Sequence, residues 1–253
     1  MSEGSAAYRV LRARATSLYV LVCDHASNHV PAQLHDLGLS ASDLTRHIAW
    51  DIGAAGVTEA LSELLDATAI LSSVSRLVID CNRQLASPSL IPDVSDGTAV
   101  PANHALPPDA REARIASWFR PYHDAVESVL LDRETRGLES VLVSIHSMTP
   151  SLAGAPRPWP IALSSHSDRR LTEPVLAGLR DRLDQPGADT VVGDNQPYSV
   201  DPDVDYTTPY HAMRRGLHHL QVEFRQDEVA DAAGQRTWAG ILAGVLIALK
   251  TSS

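Results

Sequence analysis

Tyr19-Val20-Leu21-Val22-Cys23 is apolar at every position and is followed at once by Asp24-His25. An apolar run that does not alternate has no side to give to water. As a strand it must be covered on both faces, as in a parallel sheet between helices. Short runs of this kind at Leu18–Cys23, Thr68–Val74, Arg76–Cys81, Ser140–Ile145, Pro160–Ser164, Thr190–Val192 and Leu220–Phe224 read as strands. Between them the period lengthens. Val57, Leu61, Leu64 and Leu65 share a helix face, as do Ile115, Trp118, Phe119, Tyr122, Val126, Val129 and Leu130. Trp238, Ile241, Leu242, Val245, Leu246 and Leu249 make a third stripe. Strands alternating with helices predict an α/β fold of three layers, α/β/α, around a largely parallel sheet.

No linker-like stretch divides the 253 residues, so 1–253 reads as one domain, with 1–16 as a peripheral N-terminal segment. Gln84–Asp109 and Gly193–Tyr210 read as long loops, and loops of that length in a compact domain are usually functional or disordered. The formal net charge of −10 and the dispersed arginines argue against nucleic acid or an anionic membrane as partner. The stretch before Thr16 has no apolar core of a targeting signal, and two cysteines, Cys23 and Cys81, make no disulfide framework. These features predict a cytoplasmic protein with buried free thiols and a small-molecule partner. They leave its oligomeric state open.

In such a sheet, ligands collect where the strands end. The apolar runs deliver Asp24-His25, Asp80-Cys81-Asn82-Arg83, His146-Ser147-Met148-Thr149 and Glu223-Phe224-Arg225. Two histidines from separate strands suit a catalytic zinc, which takes three protein ligands and keeps a fourth position open. His25 and His146 supply two. Asn28, Asp51 and Asp24 are candidates for the third, Asn28 the weakest because a neutral amide binds zinc poorly. Each residue also has a plainer reading. A strand-end histidine is commonly a hydrogen-bonded structural one, Asp51 suits a helix start, Asn82-Arg83 suits a surface turn, and Glu223 could pair with Arg225 on its own strand face. Thr149, the Arg157-Pro158-Trp159 segment and Tyr198 flank the same edge as possible substrate contacts. A thiol reading with Cys23 as nucleophile and His25 as base is a minor alternative.

Cys23 to Pro31, Ser75 to Arg83, Ile145 to Pro150 and Val222 to Asp227 together resemble the N-formylglutamate amidohydrolase family, and the resemblance runs from about Val20 to the last helix. It implies a fold related to the zinc carboxypeptidases, with a mixed eight-stranded sheet. It implies Zn²⁺ on His25 and His146, Glu223 as general base, and Asn82 and Arg83 on the substrate carboxylate and scissile carbonyl. Arg76 and Arg225 would be further contacts to an acidic substrate. Zinc carboxypeptidases carry Glu three residues after the first histidine, where this chain has Asn28. That departure favours Asp51 as third ligand on charge grounds. The implied reaction is hydrolysis of N-formyl-L-glutamate to formate and glutamate, a step of histidine degradation. The rival expectations are a zinc amidase or carboxypeptidase-like hydrolase for another N-acyl amino acid or peptide, and a non-catalytic metabolite-binding protein of the same fold.

Overall fold

The structure is a computed structural model that describes residues 6–184 and 191–250. In chain order, β1 (Tyr8–Leu11), β2 (Tyr19–Cys23), one-turn α1 (Ala41–Leu44), α2 (Ala54–Leu65) and β3 (Thr68–Ser72) come first. A hairpin of β4 (Val94–Ser95) and β5 (Thr98–Ala99) follows, then α3 (Pro108–Arg114), which runs through a wider turn at Ile115–Phe119 into α4 (Arg120–Thr135). Next are β6 (Val141–Met148), a second hairpin of β7 (Ser151–Leu152) and β8 (Ala155–Pro156), β9 (Ile161–Ser164) and α5 (Thr172–Leu183). The chain closes with β10 (Val192–Asp194), β11 (His219–Arg225) and α6 (Ala232–Lys250).

Seven strands among the described residues form the main sheet, in the order β1-β3-β2-β6-β11-β9-β10. The run β3-β2-β6-β11 is parallel, whereas β1 is antiparallel to β3 and β9 to β11. The sheet is therefore mixed and largely parallel, one strand short of the eight that the resemblance implied. β1 is an edge strand drawn from the N-terminal segment, and its short polar-apolar mixture carries little strand signal.

Both faces are covered. Leu21, Cys23, Val143, Ile145, Val222 and Phe224 pack beneath Val57 and Leu61 of α2, Val175 and Leu179 of α5, and Leu242 and Leu246 of α6. Val20, Val22, Ile70 and Leu142 face Tyr122, Val126 and Leu130 of α4. Residues of β2 that alternate in the pleat thus enter different cores, which is why the run is apolar throughout. Burying a leucine-sized side chain there contributes roughly 1.5–3 kcal/mol. The helical stripes are the expected ones except that Leu64 is exposed, because α2 buries the face of Ala54, Val57, Leu61 and Leu65. The window Ala232–Leu249 of α6 is long and apolar enough to cross a membrane by length and composition, but Trp238, Leu242, Val245 and Leu246 lie in the core.

Two expectations need correction. Arg76–Cys81 is not a strand but a compact turn. Ser75 Oγ donates to the Ala49 carbonyl (2.7 Å) and accepts from the Leu77 N–H (3.1 Å), while the Val78 N–H returns to the Ser75 carbonyl (2.9 Å). Leu77, Val78 and Ile79 are apolar because a separate cluster with Ile48, Leu90, Val100 and Trp118 buries them, not because they lie in the sheet. The segment 193–210 is shorter as a loop than expected: Gly193 and Asp194 belong to β10, and Thr208–Ala212 is helical. Thr190 lies outside the described residues.

Gly53 stands at the start of α2 with φ +83°, where a Cβ would overlap the Val229 carbonyl and side chain. Gly53→Ala is therefore expected to lower unfolding stability by about 2 kcal/mol or more, read as a lower urea midpoint at unchanged slope.

Candidate metal and substrate site

Parallel strands end at one edge, and antiparallel β9 begins there. That topology brings the residues after β2 and β3, the last turn of β6 and β11, and the segment before β9 to one cleft of about 410 Å³. In register, Glu223 of β11 stands directly opposite His146 of β6, with Gln221 and Ser144 the next pair down. Neighbouring strands are roughly 4.8 Å apart, so the Glu223 and His146 side chains leave the same face side by side.

Asp51 joins them from the segment before α2. Its N–H bonds to the His25 carbonyl (3.0 Å), which ties this segment to the end of β2. Its Oδ2 lies 3.3 Å from His25 Nδ1 and 3.0 Å from His146 Nδ1, and accepts the Ser147 N–H at 3.2 Å. Among the described residues, His25, Asp51 and His146 are a group whose ligand atoms converge closely enough to hold one metal ion. Ligands 2.0–2.1 Å from a tetrahedral zinc are separated by roughly 3.3 Å, close to these spacings. The other nitrogens point away. His25 Nε2 donates to Asp80 Oδ1 at 2.7 Å, and His146 Nε2 is 3.0 Å from Ser144 Oγ and 3.5 Å from Asp24 Oδ2. An Nε2–H held by a carboxylate leaves the Nδ1 lone pair facing the centre, the usual support of a metal-binding histidine.

The charge balance points the same way. Asp24, Asp51, Asp80 and Glu223 are all buried and face one guanidinium, Arg76, and two imidazoles. Burial pushes Asp51 up, but His25, His146 and Arg76 outweigh it and hold it well below the usual carboxylate range. Asp24 is brought to about 2 against its burial by His146, His25 and Thr207. Burial raises Glu223 to about 7, with His146 opposing the rise and Asp51 adding to it. Burial and Arg76 lower His25, whereas Asp80 and Asp51 carry it above its ordinary value. Three ionised carboxylates and a fourth held on the edge of protonation form a donor set that a divalent cation fits.

Arg76 is a brace. Its Nε and Nη2 donate to Asp80 Oδ2 at 3.2 and 2.8 Å, and its Nη1 to Asp51 Oδ1 at 3.2 Å. Asn82 holds a loop: its Oδ1 accepts the N–H groups of Tyr206 (3.1 Å) and Thr207 (3.0 Å), and its Nδ2 donates to Asp205 (3.3 Å). Arg83 Nη1 donates to Asp205 Oδ1 at 2.9 Å, and the arginine lines the cleft. Thr149 and Tyr198 line it too, bridged by Arg157. Asn28 is turned away, its Nδ2 donating to the Leu44 carbonyl at 2.9 Å. Arg225 does not pair with Glu223. It is held by Asp227 and Glu228 and donates to the Arg157 and Pro158 carbonyls. Cys23 and Cys81 are free and buried; burial pushes both thiols up, and Cys23 packs in the core on the far face of the sheet.

A family model for N-formylglutamate amidohydrolase matches residues 17–230. The chain belongs to the N-formylglutamate amidohydrolase family. Among solved structures, a gene product of Agrobacterium tumefaciens is similar to this family member at 37% identity and a TM-score of 0.91, over 98% of this chain and 96% of that one. An N-formylglutamate amidohydrolase from Ralstonia eutropha shares its fold, with 18% identity and a TM-score of 0.68 over 98% of this chain and 100% of that one. No curated protein matches the sequence. The site of this amidohydrolase-family chain includes residues that its sequence did not single out. Asp80, behind His25, was visible only as the first polar residue after an apolar run, with no role attached to it. Asp205, on Arg83, was marked only by its place in the long loop 193–210, which gave no partner for it.

Proposed function

We propose that the protein hydrolyses the amide bond of an N-acyl amino acid in a metal-dependent reaction, with N-formyl-L-glutamate as substrate and formate and L-glutamate as products. The observation that carries this reading is the meeting of His25 Nδ1, His146 Nδ1 and Asp51 Oδ2 beside Glu223 in one cleft of small-molecule size.

His25, Asp51 and His146 would hold a Zn²⁺ ion, which supplies Lewis acidity and lowers the pKa of water to ~7. Glu223 takes the proton of the attacking water and delivers it to the departing amine nitrogen, as the water oxygen bonds to the acyl carbon and the C–N bond breaks. Burial suits it to this exchange, because a carboxyl raised to about 7 both accepts and returns a proton near neutrality. Arg83 supplies a preorganised donor toward the developing oxyanion, a contribution of roughly 3–4 kcal/mol per donor in other hydrolases. Asp205 and the Asn82 carbonyl fix one Arg83 nitrogen and so aim the rest of the fork. Asp80 on His25, and Ser144 with the nearby Asp24 charge on His146, keep the histidines in the tautomer that faces inward. The segment 195–207 contributes Tyr198 and Asp205 to the wall, so it partly encloses the substrate.

The deciding experiment measures formate released from N-formyl-L-glutamate by zinc-loaded protein, with a chelator-treated sample alongside. Release that the chelator abolishes and zinc restores is the expected result. Metal-loaded protein that releases no formate would overturn the substrate and send the search to other N-acyl amino acids.

A further inference from the structure

Among the three arginines that line the cleft, Arg76 and Arg83 have carboxylate partners, Asp51 and Asp80 for the first and Asp205 for the second. Arg157 differs. Its Nη2 donates to Tyr198 Oη at 2.6 Å, its Nη1 to Thr149 Oγ1 at 3.1 Å and to the Thr149 carbonyl at 3.4 Å, and its guanidinium lies 4.9 Å from the centre of the Tyr198 ring. Every hydrogen-bond partner of this guanidinium among the described residues is neutral. Yet the residue is only 7% exposed. A cation drawn out of water without a counter-charge is costly, and a cleft that keeps one is built for an anion that arrives with the ligand.

The fold also fixes where this cation stands. Arg157 sits between the β7–β8 hairpin and antiparallel β9, on the opposite flank of the sheet order from the turn that carries Arg83. Its N–H is bonded to the Pro150 carbonyl (2.8 Å), and its own carbonyl accepts from Arg225 Nη1 (3.2 Å). Arg225, itself held by Asp227 and Glu228, thus braces the backbone under Arg157. A guanidinium fork flanked by a phenol and a threonine hydroxyl matches a carboxylate, which accepts from all three.

We propose that Arg157, with Tyr198 and Thr149, is the specificity element that receives the side-chain carboxylate of the amino-acid half of the ligand, so that an acidic side chain is chosen over its neutral amide. The assignment deepens the proposed hydrolysis, since it concerns the same cleft, but it makes its own demand on binding. Arg157 acts on the non-reacting end of the ligand, and removing it strikes selectivity before chemistry. Tyr198 Oη, which accepts from Arg157, keeps its own proton for the same carboxylate.

The test titrates L-glutamate and L-glutamine into the metal-loaded full-length protein by calorimetry, and compares kcat/KM for N-formyl-L-glutamate and N-formyl-L-glutamine. A charge-assisted fork at a largely buried site is expected to give an acid-over-amide preference of about 10- to 100-fold. In Arg157→Gln that ratio should collapse toward one, and Arg157→Lys should recover only part of it. Tyr198 is 41% exposed, so Tyr198→Phe removes its hydroxyl with little risk to folding and should lower the same ratio by a smaller factor. A wild-type protein without the preference overturns the assignment. So does an Arg157→Gln variant that keeps it, or a Tyr198→Phe variant that leaves it untouched. The two readings fail separately. A glutamate preference that depends on Arg157 without formate release rejects the reaction and keeps the subsite. Formate release with a preference indifferent to Arg157 does the reverse.

Discussion

Glu223→Gln is expected to lower kcat by about 10²–10⁴-fold while the protein keeps its fold and its metal. Glutamine matches glutamate in size, so the well-packed position opposite His146 is filled, but an amide accepts no proton from water and gives none to an amine. The loss should fall on kcat rather than KM, because the missing interaction exists only in the transition state. The pH profile is a second readout. A base works when deprotonated, so kcat/KM rises with pH through the Glu223 pKa and is lost below it. Burial places that value at about 7. A bound cation adds positive charge beside the carboxylate and can only move it down, so the acid limb should fall at or below pH 7. Glu223→Gln should lose that limb along with the rate. Single-turnover kinetics with metal analysis on the same samples would check this. Near-normal turnover in the variant would make Glu223 structural and require another base.

The second large effect concerns the metal. His25→Ala, His146→Ala and Asp51→Ala should each purify with little bound zinc and no formate release. Asp80→Asn should retain a site weakened by about 10- to 100-fold, the usual result of removing the group behind a ligand. A difference in degree between these two kinds of variant is what separates ligand from support. The thermal midpoint gives an independent measure. A ligand that binds only the folded state stabilises it by RT ln(1 + [L]/Kd), about 4.1 kcal/mol at a thousandfold excess over Kd. Chelation should therefore lower the midpoint of wild-type protein markedly and that of His146→Ala hardly at all. Full zinc occupancy in His25→Ala and His146→Ala would reject the assignment.

Much of the site was legible because its residues stand at strand ends. Local composition marks an apolar strand, and the polar residue after it must leave the sheet at the ligand-binding edge. His25, His146 and Glu223 were chosen in that way, and the fold brings all three to one cleft, although His146 and Glu223 still lie within β6 and β11 rather than after them. Asp51 belongs to no strand. It was readable only as a carboxylate near a helix start, and it needed a charge argument to rank above Asn28. The Leu77-Val78-Ile79 run misled, because apolar β-branched residues are required by any buried segment, and a turn packed under Trp118 buries them as fully as a strand does. Asn82 and Arg225 show the opposite difficulty. Asn82 lines the cleft but spends its amide on Tyr206, Thr207 and Asp205, whereas Arg225 stands outside the lining, held by Asp227, Glu228 and two carbonyls.

The order of apolar strands and amphipathic helices was enough to establish a layered α/β chain with polar candidate residues gathered at one edge, since periodicity and burial on both faces are properties of neighbouring residues. Pairing across long separations is not local. That β9 runs against β11, which brings Arg157 to the cleft, follows from strand order in the finished sheet. That Asp24 and Asp80 stand behind different histidines, and that Arg157 alone among the cleft arginines faces neutral partners, depends on which side chains fill the space around each charge. A carboxylate or guanidinium reads the same in any sequence. Its partner, and with it its charge state and its task, is set by contacts between distant segments, such as Tyr122 and Thr207 on Asp24, 98 and 183 residues away, that only the folded chain makes.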